Sequence, residues 1–370
     1  MLHMIKIMDI LANLNYNYME KVQLAIVNLL GSILNDNKAD ENLFADNPQE
    51  FWDSFYEQAY DQCVGPLILD SIEKNGIQPP LRTKLKFIYL RDKTEKLYAI
   101  HLQTILALRK IMQSGNVRSH VIKGTDIAQL YKTPSHRKLG DIDFYVEDYS
   151  LAMKLLKANG IKVEVGTFIE KHDNVRINGV EIELHKQIVQ RYPTLSSKKR
   201  YSYLKKHVGD KAKFYCMYTI LHNIYHLTHT GLKMHMICDW NQYVSTYGIQ
   251  HILETKDELV IKYANAFNSI LIHYFGLNKE HLKKEDGTYM LPSEEEQLLG
   301  EEILATCFDL KNILTIKRNG GITYINYEIA QYRHFLGFKA TVNEVLWSSL
   351  NQTLHLLLKI KTTIKRIFKA

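Results

Sequence analysis

The sequence predicts an α+β protein, a small mixed β-sheet unit flanked by N-terminal and C-terminal helical regions. Three observations carry this. Helical spacing of apolar residues dominates the first 115 or so positions and returns after about 195. Between them the period shortens to two, in Ile142 to Val146 and in Val180 to His185. Asn178-Gly179 separates two of the alternating runs, the signature of a two-residue hairpin. The organisation expected is therefore 1–115 helical, 116–195 the sheet unit and 196–370 helical.

The 370 residues exceed what one small core organises, which suits two or three domains. In the first region, Met1 to Asn35 is apolar but interrupted by Asp9 and Glu20 and lacks a small-residue cleavage site, so it reads as a helix rather than a signal peptide. Phe51, Trp52, Phe55, Ala59 and Tyr60 recur at helical spacing, and Val64, Leu67, Ile68 and Ile72 continue the stripe. Asn75-Gly76 and Pro79-Pro80 punctuate before a long helix over Leu81 to Met112, which Gly115-Asn116 ends.

In the middle region Ser119 to Ile122 reads as a strand ended by Lys123-Gly124. Asp126 to Tyr131 suits a short helix capped by Thr125 or Asp126, and Lys132 to Leu139 a loop. Ile142 to Val146 is a strand, and Ser150 to Asn159 a helix closed by Gly160. Ile161 to Val165, Asp173 to Ile177 and Val180 to His185 complete the strands. From Tyr201 the chain is helical again, with loops at Lys283 to Gly287 and Asn319-Gly320-Gly321.

Charge and cysteines narrow the classes without choosing one. The net charge of +7 is compatible with phosphate-bearing ligands, nucleic acid or anionic lipid. No apolar run approaches the ~20 residues that cross a bilayer. Cys63, Cys216, Cys238 and Cys307 are far apart with no CxxC pair, which points to reduced thiols and a cytoplasmic location.

The chemistry concentrates on Asp141-Ile142-Asp143. On a strand the two aspartates share one face and Ile142 and Phe144 the other. The same alternation puts Glu181, Glu183 and His185 together. Carboxylates gathered on one surface repel, and a divalent cation relieves the repulsion. The competing reading is a solvated strand edge with scattered acids.

The stretches Val121 to Tyr131, Arg137 to Val146 and Glu183-Leu184-His185 resemble the uncharacterised bacterial nucleotidyltransferase family of the DNA polymerase β-like superfamily. Its pattern is a KG turn, an aromatic-ended helix, an arginine, a GDID strand and a later acidic-x-His strand. The turn here reads Lys123-Gly124-Thr125, where the superfamily usually has Gly-Ser or Gly-Gly. The resemblance implies that Asp141, Asp143 and Glu183 are catalytic and hold Mg²⁺ or Mn²⁺, with Glu181 the substitute for Glu183. Lys123, Gly124, Thr125, Arg137 and Gly140 become the nucleotide-binding candidates. The implied reaction moves a nucleoside monophosphate from an NTP to an unknown acceptor (small molecule, protein or RNA) and releases pyrophosphate. The alternative on the same fold is a non-catalytic nucleotide- or partner-binding module.

Three further features have plainer readings. His222, His226, His229 and His235, with Cys238 and Asp239, could form a zinc site, or hydrogen-bond locally as helix residues that shape an acceptor pocket. His172-Asp173 reads as a turn. Leu354 to Ala370 is a basic amphipathic helix that docks on the protein or makes weak contact with a membrane surface.

Overall fold

The structure, a computed structural model, describes residues 19–165, 171–189, 198–319, 324–337 and 339–342. The first 18 positions and the basic C-terminal segment lie outside them, as does Gly320-Gly321. The expected α+β class holds: helical regions lie at both ends of a five-stranded mixed sheet. Two compact units are assembled from non-contiguous segments, Met1–Asp92 with Gly231–Ile313, and Lys93–Thr230 with Leu314–Ala370.

The first unit is helical. Helices α1 (Lys21–Asn35), α2 (Gln49–Asp61) and α3 (Gly65–Lys74) bury the apolar faces read from the sequence, with Ile26, Leu30, Phe55 and Ile68 fully enclosed. Glu20 and Gln23 close a capping box at the start of α1. The boundary between the units falls within α4 (Leu81–Ser114).

The second unit holds the sheet: β1 (Ser119–Val121), β2 (Ile142–Val146), β3 (Val163–Glu164), β4 (His172–Ile177) and β5 (Val180–His185). One-turn helix α5 (Thr125–Ala128) follows β1, and α6 (Tyr149–Ala158) follows β2, capped by the Asp148 carboxylate at Leu151 N. The strand order is β1-β2-β5-β4-β3, with β2 and β5 parallel and the other pairs antiparallel. Asn178-Gly179, both at positive φ, make the tight β4–β5 turn. One sheet face is apolar: Val121, Ile142, Phe144, Val146, Ile182 and Leu184 pack with Leu108 and Met112 of α4 and Ala152 and Leu156 of α6. Strand alternation leaves Asp143, Tyr145, Glu183 and His185 on the opposite face.

Helices α7 (Lys198–His207) and α8 (Lys211–His229) complete the described part of this unit before the chain returns to the first. There α9 (Met234–Tyr247), α10 (Gln250–Glu254), α11 (Glu258–His273) and α12 (Glu294–Phe308) follow, and α13 (Leu310–Asn319) spans the second boundary. Gly300 lets α12 approach α11 closely, because a Cβ there would lie 2.6 Å from Ala266 O.

Two local expectations are corrected. His172 and Asp173 are not a turn but the first two residues of β4. The helix expected over Asp126 to Tyr131 is a single turn that starts at Thr125, with Gly124 as its cap.

Candidate active site

Asp141 immediately precedes β2, and Asp143 lies within it. Asp143 stands in register with Glu183 on parallel β5, so their side chains project from the same face. Two residues on, His185 shares that face, and the antiparallel register pairs it with His172 of β4. Neighbouring strands thus bring together residues from three segments. Glu181 is exposed and lies in register with Arg176, away from this group.

The carboxylates converge on shared cations. His185 Nε2 lies 3.1 Å from Asp143 Oδ1 and 3.2 Å from Glu183 Oε2. Its Nδ1 is 3.1 Å from the Gln187 carbonyl oxygen, which can only accept, so Nδ1 carries a proton. Lys123 Nζ lies 2.9 Å from Asp143 Oδ2 and 3.9 Å from Asp141 Oδ1. Lys171 Nζ and His172 Nδ1 approach Glu183 Oε2 at 3.7 and 3.1 Å. Lys123, Lys171 and a charged His185 therefore balance the acidic trio.

The titration of each group follows from these contacts. Burial acts to raise the Asp143 carboxyl, but Lys123 and His185 together hold it well below its ordinary value. Burial opposes the charged forms of Lys123 and His185 as well. Asp143 outweighs this for the lysine, and hydrogen bonds to Asp143 and Glu183 outweigh it for the histidine, so both are raised. Glu183 is held at about 2, where burial is overcome by the His185 hydrogen bond and Lys171. Asp141 goes the other way, raised by burial and by the Asp143 charge beside it.

Helix α8 adds Tyr218 and His222 to the site. Burial and the Asp143 charge push the Tyr218 phenol up, so it stays neutral. Its ring stacks on His222 at 5.7 Å, and His222 meets His226 edge-on at 4.5 Å. His226 Nδ1 contacts Thr230 Oγ1, and His229 Nδ1 contacts the Tyr225 carbonyl. His235, Cys238 and Asp239 belong to the other compact unit. His222, His226 and His229 are engaged in ring stacks and local hydrogen bonds, in keeping with the plainer of the two sequence readings.

The remaining nucleotide-binding candidates occupy different environments. Gly124 has φ +56° and ψ −111°, a conformation that side chains disfavour, and it is buried, with a Cβ there lying 3.6 Å from Asp141 O. Gly140 is exposed, with no atom within 4 Å of where a Cβ would be. Thr125 is buried at the first position of α5. Arg137 is also buried, and its Nη1 donates to the Lys138 carbonyl at 3.0 Å. Nearby Asp126 accepts from Tyr215 OH at 2.9 Å and from Lys211 Nζ at 2.8 Å, anchoring α5 to α8.

The donor set suits a hard divalent cation, which prefers oxygen ligands. Three carboxylates gather on one face, and Asp143 Oδ2 is buried without a well-aligned hydrogen bond, although Lys123 lies near it. An ion here would be held by Asp141, Asp143 and Glu183.

Sequence reasoning missed Lys171, His172 and Tyr218. A strand begun one residue earlier would have put His172 on the acidic face by alternation. Tyr218 precedes His222 by one helical turn, a spacing that places both on one face. Nothing in the local pattern marks Lys171.

The protein is of the α+β class, its mixed sheet carrying these carboxylates on one face and packed by helices on its apolar side. A family model described as uncharacterised nucleotidyltransferase matches residues 48–273. The chain belongs to this family, and membership supports a general role in nucleotidyl transfer. No curated protein and no solved structure matches the chain. No helix among the described residues is long and apolar enough to cross a membrane.

Proposed function

We propose that the protein is a metal-dependent nucleotidyltransferase that moves a nucleoside monophosphate from an NTP to an acceptor hydroxyl or phosphate, releasing pyrophosphate. The observation that carries this is the register pairing of Asp143 with Glu183, with Asp141 at the mouth of the same face. Asp141, Asp143 and Glu183 hold Mg²⁺ or Mn²⁺. When bound, the ion supplies Lewis-acid polarisation of phosphate oxygens and activation of the acceptor oxygen.

The chain's own groups then have separate tasks. Lys123 is within reach of both aspartates and would offer its charge to the triphosphate. Gly140 offers exposed backbone to phosphate, and Gly124 supplies the positive-φ turn behind Lys123. Thr125 and Arg137 act from buried positions, holding the shape of the turn and of the loop that leads into Asp141. Glu183, held low by the His185 hydrogen bond and Lys171, brings a negative charge to the site. The acceptor is a small molecule, protein or RNA.

One observation favours a second reading, a non-catalytic nucleotide-binding module. Lys123, Lys171 and His185 balance the acidic trio without any metal, so the cluster alone does not demand one. Incubating the full chain with α-labelled NTPs, Mg²⁺ or Mn²⁺ and cell extract separates the two. Labelled adduct and pyrophosphate, both lost in Asp141→Asn, are expected. Nucleotide binding without either product would establish the module.

A further inference from the structure

The same sheet face carries nitrogen donors that an oxygen-preferring cation does not need. His172, Glu183 and His185 each present one ligand atom, and these atoms all lie within 4.8 Å of one another. Glu183 Oε2 is 3.1 Å from His172 Nδ1 and 3.2 Å from His185 Nε2. Donors bound at about 2.0–2.2 Å around one tetrahedral ion stand about 3.3–3.6 Å apart, so these two separations need open by only a few tenths of an ångström to be those of neighbours in a coordination shell. The antiparallel register sets this spacing, because His172 and His185 are directly paired and Glu183 precedes His185 by one full alternation.

Two more features fit ligation. His185 Nδ1 is tied to the Gln187 carbonyl, the outer-shell contact that fixes a ring's tautomer and aims Nε2 inward. His172 Nδ1 is buried without a well-aligned hydrogen-bond partner, although Glu183 is close. Asp143 Oδ1, 3.1 Å from His185 Nε2, stands ready as a fourth donor. Lys171 is the cation that must leave, and its side chain is partly exposed and long enough to swing into solvent.

We propose that His172, Glu183 and His185 form a nitrogen-rich site for a borderline first-row divalent ion of the Zn²⁺ class, beside the Asp141–Asp143 position that favours Mg²⁺. Two imidazoles and one carboxylate, with room for a further ligand, are a donor set of zinc enzymes, whereas Mg²⁺ seeks oxygen alone. The ion site rests on the β4–β5 strand pair; its part in catalysis rests on the transferase reading.

The test uses the full chain stripped with chelator and titrated with Co²⁺, whose visible absorption reports nitrogen ligation in a zinc-like site. One equivalent should bind, resist a hundredfold excess of Mg²⁺ and be displaced by Zn²⁺. His172→Ala should weaken Co²⁺ by about 10–100-fold, at least the loss seen when an outer-shell partner of a metal site is removed. Asp141→Asn should leave the spectrum unchanged, and Glu183→Gln should reproduce the His172→Ala loss. Absence of the absorption, its survival in both His172→Ala and Glu183→Gln, or displacement by Mg²⁺ would overturn the proposal. Nucleotide transfer supported by Mg²⁺ without Co²⁺ binding would sink this site and leave the transferase reading intact. His172-dependent Co²⁺ binding in a protein that transfers no nucleotide with any metal would do the reverse.

Discussion

Replacing Asp143 by asparagine tests whether the carboxylate cluster stabilises the metal-free fold or strains it. From charge repulsion alone, the substitution would be neutral or stabilising. The geometry says otherwise. Asp143 is fully buried and faces two cations, ion-paired with Lys123 at 2.9 Å on one oxygen and accepting from His185 at 3.1 Å on the other. A carboxamide has a single acceptor oxygen, so its NH₂ must face one of those donors. Removing one partner of a buried ion pair costs about 3–5 kcal/mol. Lys123 can turn toward Asp141, now 3.9 Å away, and His185 keeps Glu183 at 3.2 Å, so the lower end applies, about 3 kcal/mol. For domains of 150–250 residues this is a fall in Tm of about 6–12 °C. Scanning calorimetry with chelator present measures it on the transition that carries the sheet unit. A Tm equal to or above that of the unsubstituted protein would refute the reasoning.

Acid should destabilise the metal-free protein in a defined window. Glu183 has a folded value of about 2 against an ordinary 4.5, so its stabilisation is complete above 4.5 and lost as pH falls toward 2. That shift corresponds to about 3 kcal/mol, with Asp143 acting in the same direction and the raised Asp141 opposing. Denaturant midpoints from pH 6 to 3 should fall, and Glu183→Gln should flatten the fall. Gly124→Ala should cost about 1–3 kcal/mol in thermal stability from backbone strain alone, since the added Cβ meets its nearest atom, Asp141 O, only at 3.6 Å. An alanine variant as stable as the original would contradict that assignment. Arg137→Ala should lower stability by about 1–3 kcal/mol, the cost of stranding buried acceptors, with a smaller change in NTP affinity. Arg137→Lys should not restore it, because one ammonium cannot replace the planar fork. Unaltered stability with lost NTP affinity would make Arg137 a direct phosphate ligand.

Much of this was legible because alternation is a strong signal. Ile142, Phe144, Ile182 and Leu184 announce one sheet face, and their neighbours Asp143 and Glu183 must then share the other. The Asn178-Gly179 turn fixed the β4–β5 register, which places His172 opposite His185. What sequence could not supply was the pairing of β2 with β5 across 33 intervening residues that include α6, β3 and β4. Parallel neighbours leave no turn signature. Lys171 and Tyr218 were illegible for a related reason. A lysine or a tyrosine reads alike on a solvated face and over a buried carboxylate, and only the tertiary approach of β4 and α8 tells them apart. The burial of Arg137, in the loop before Asp141, is likewise set by tertiary packing that the local sequence does not announce.

The electrostatics also constrain how the proposed transferase takes up its ligands. Lys123 neutralises Asp143 in the metal-free protein and, on the transferase reading, would also meet the phosphates of the nucleotide. It cannot do both at close range. A divalent ion on the aspartates frees the lysine, and a triphosphate that engages the lysine exposes the aspartates to the ion. Each ligand removes a cost that the other would otherwise bear, so their binding is cooperative, and by linkage the effect of metal on nucleotide equals that of nucleotide on metal. Without Lys123 the metal would bind more readily alone, because the competing charge is gone, and the coupling would shrink. On the transferase reading, the lysine next to Gly124 would thus couple occupancy of the metal position to that of the nucleotide.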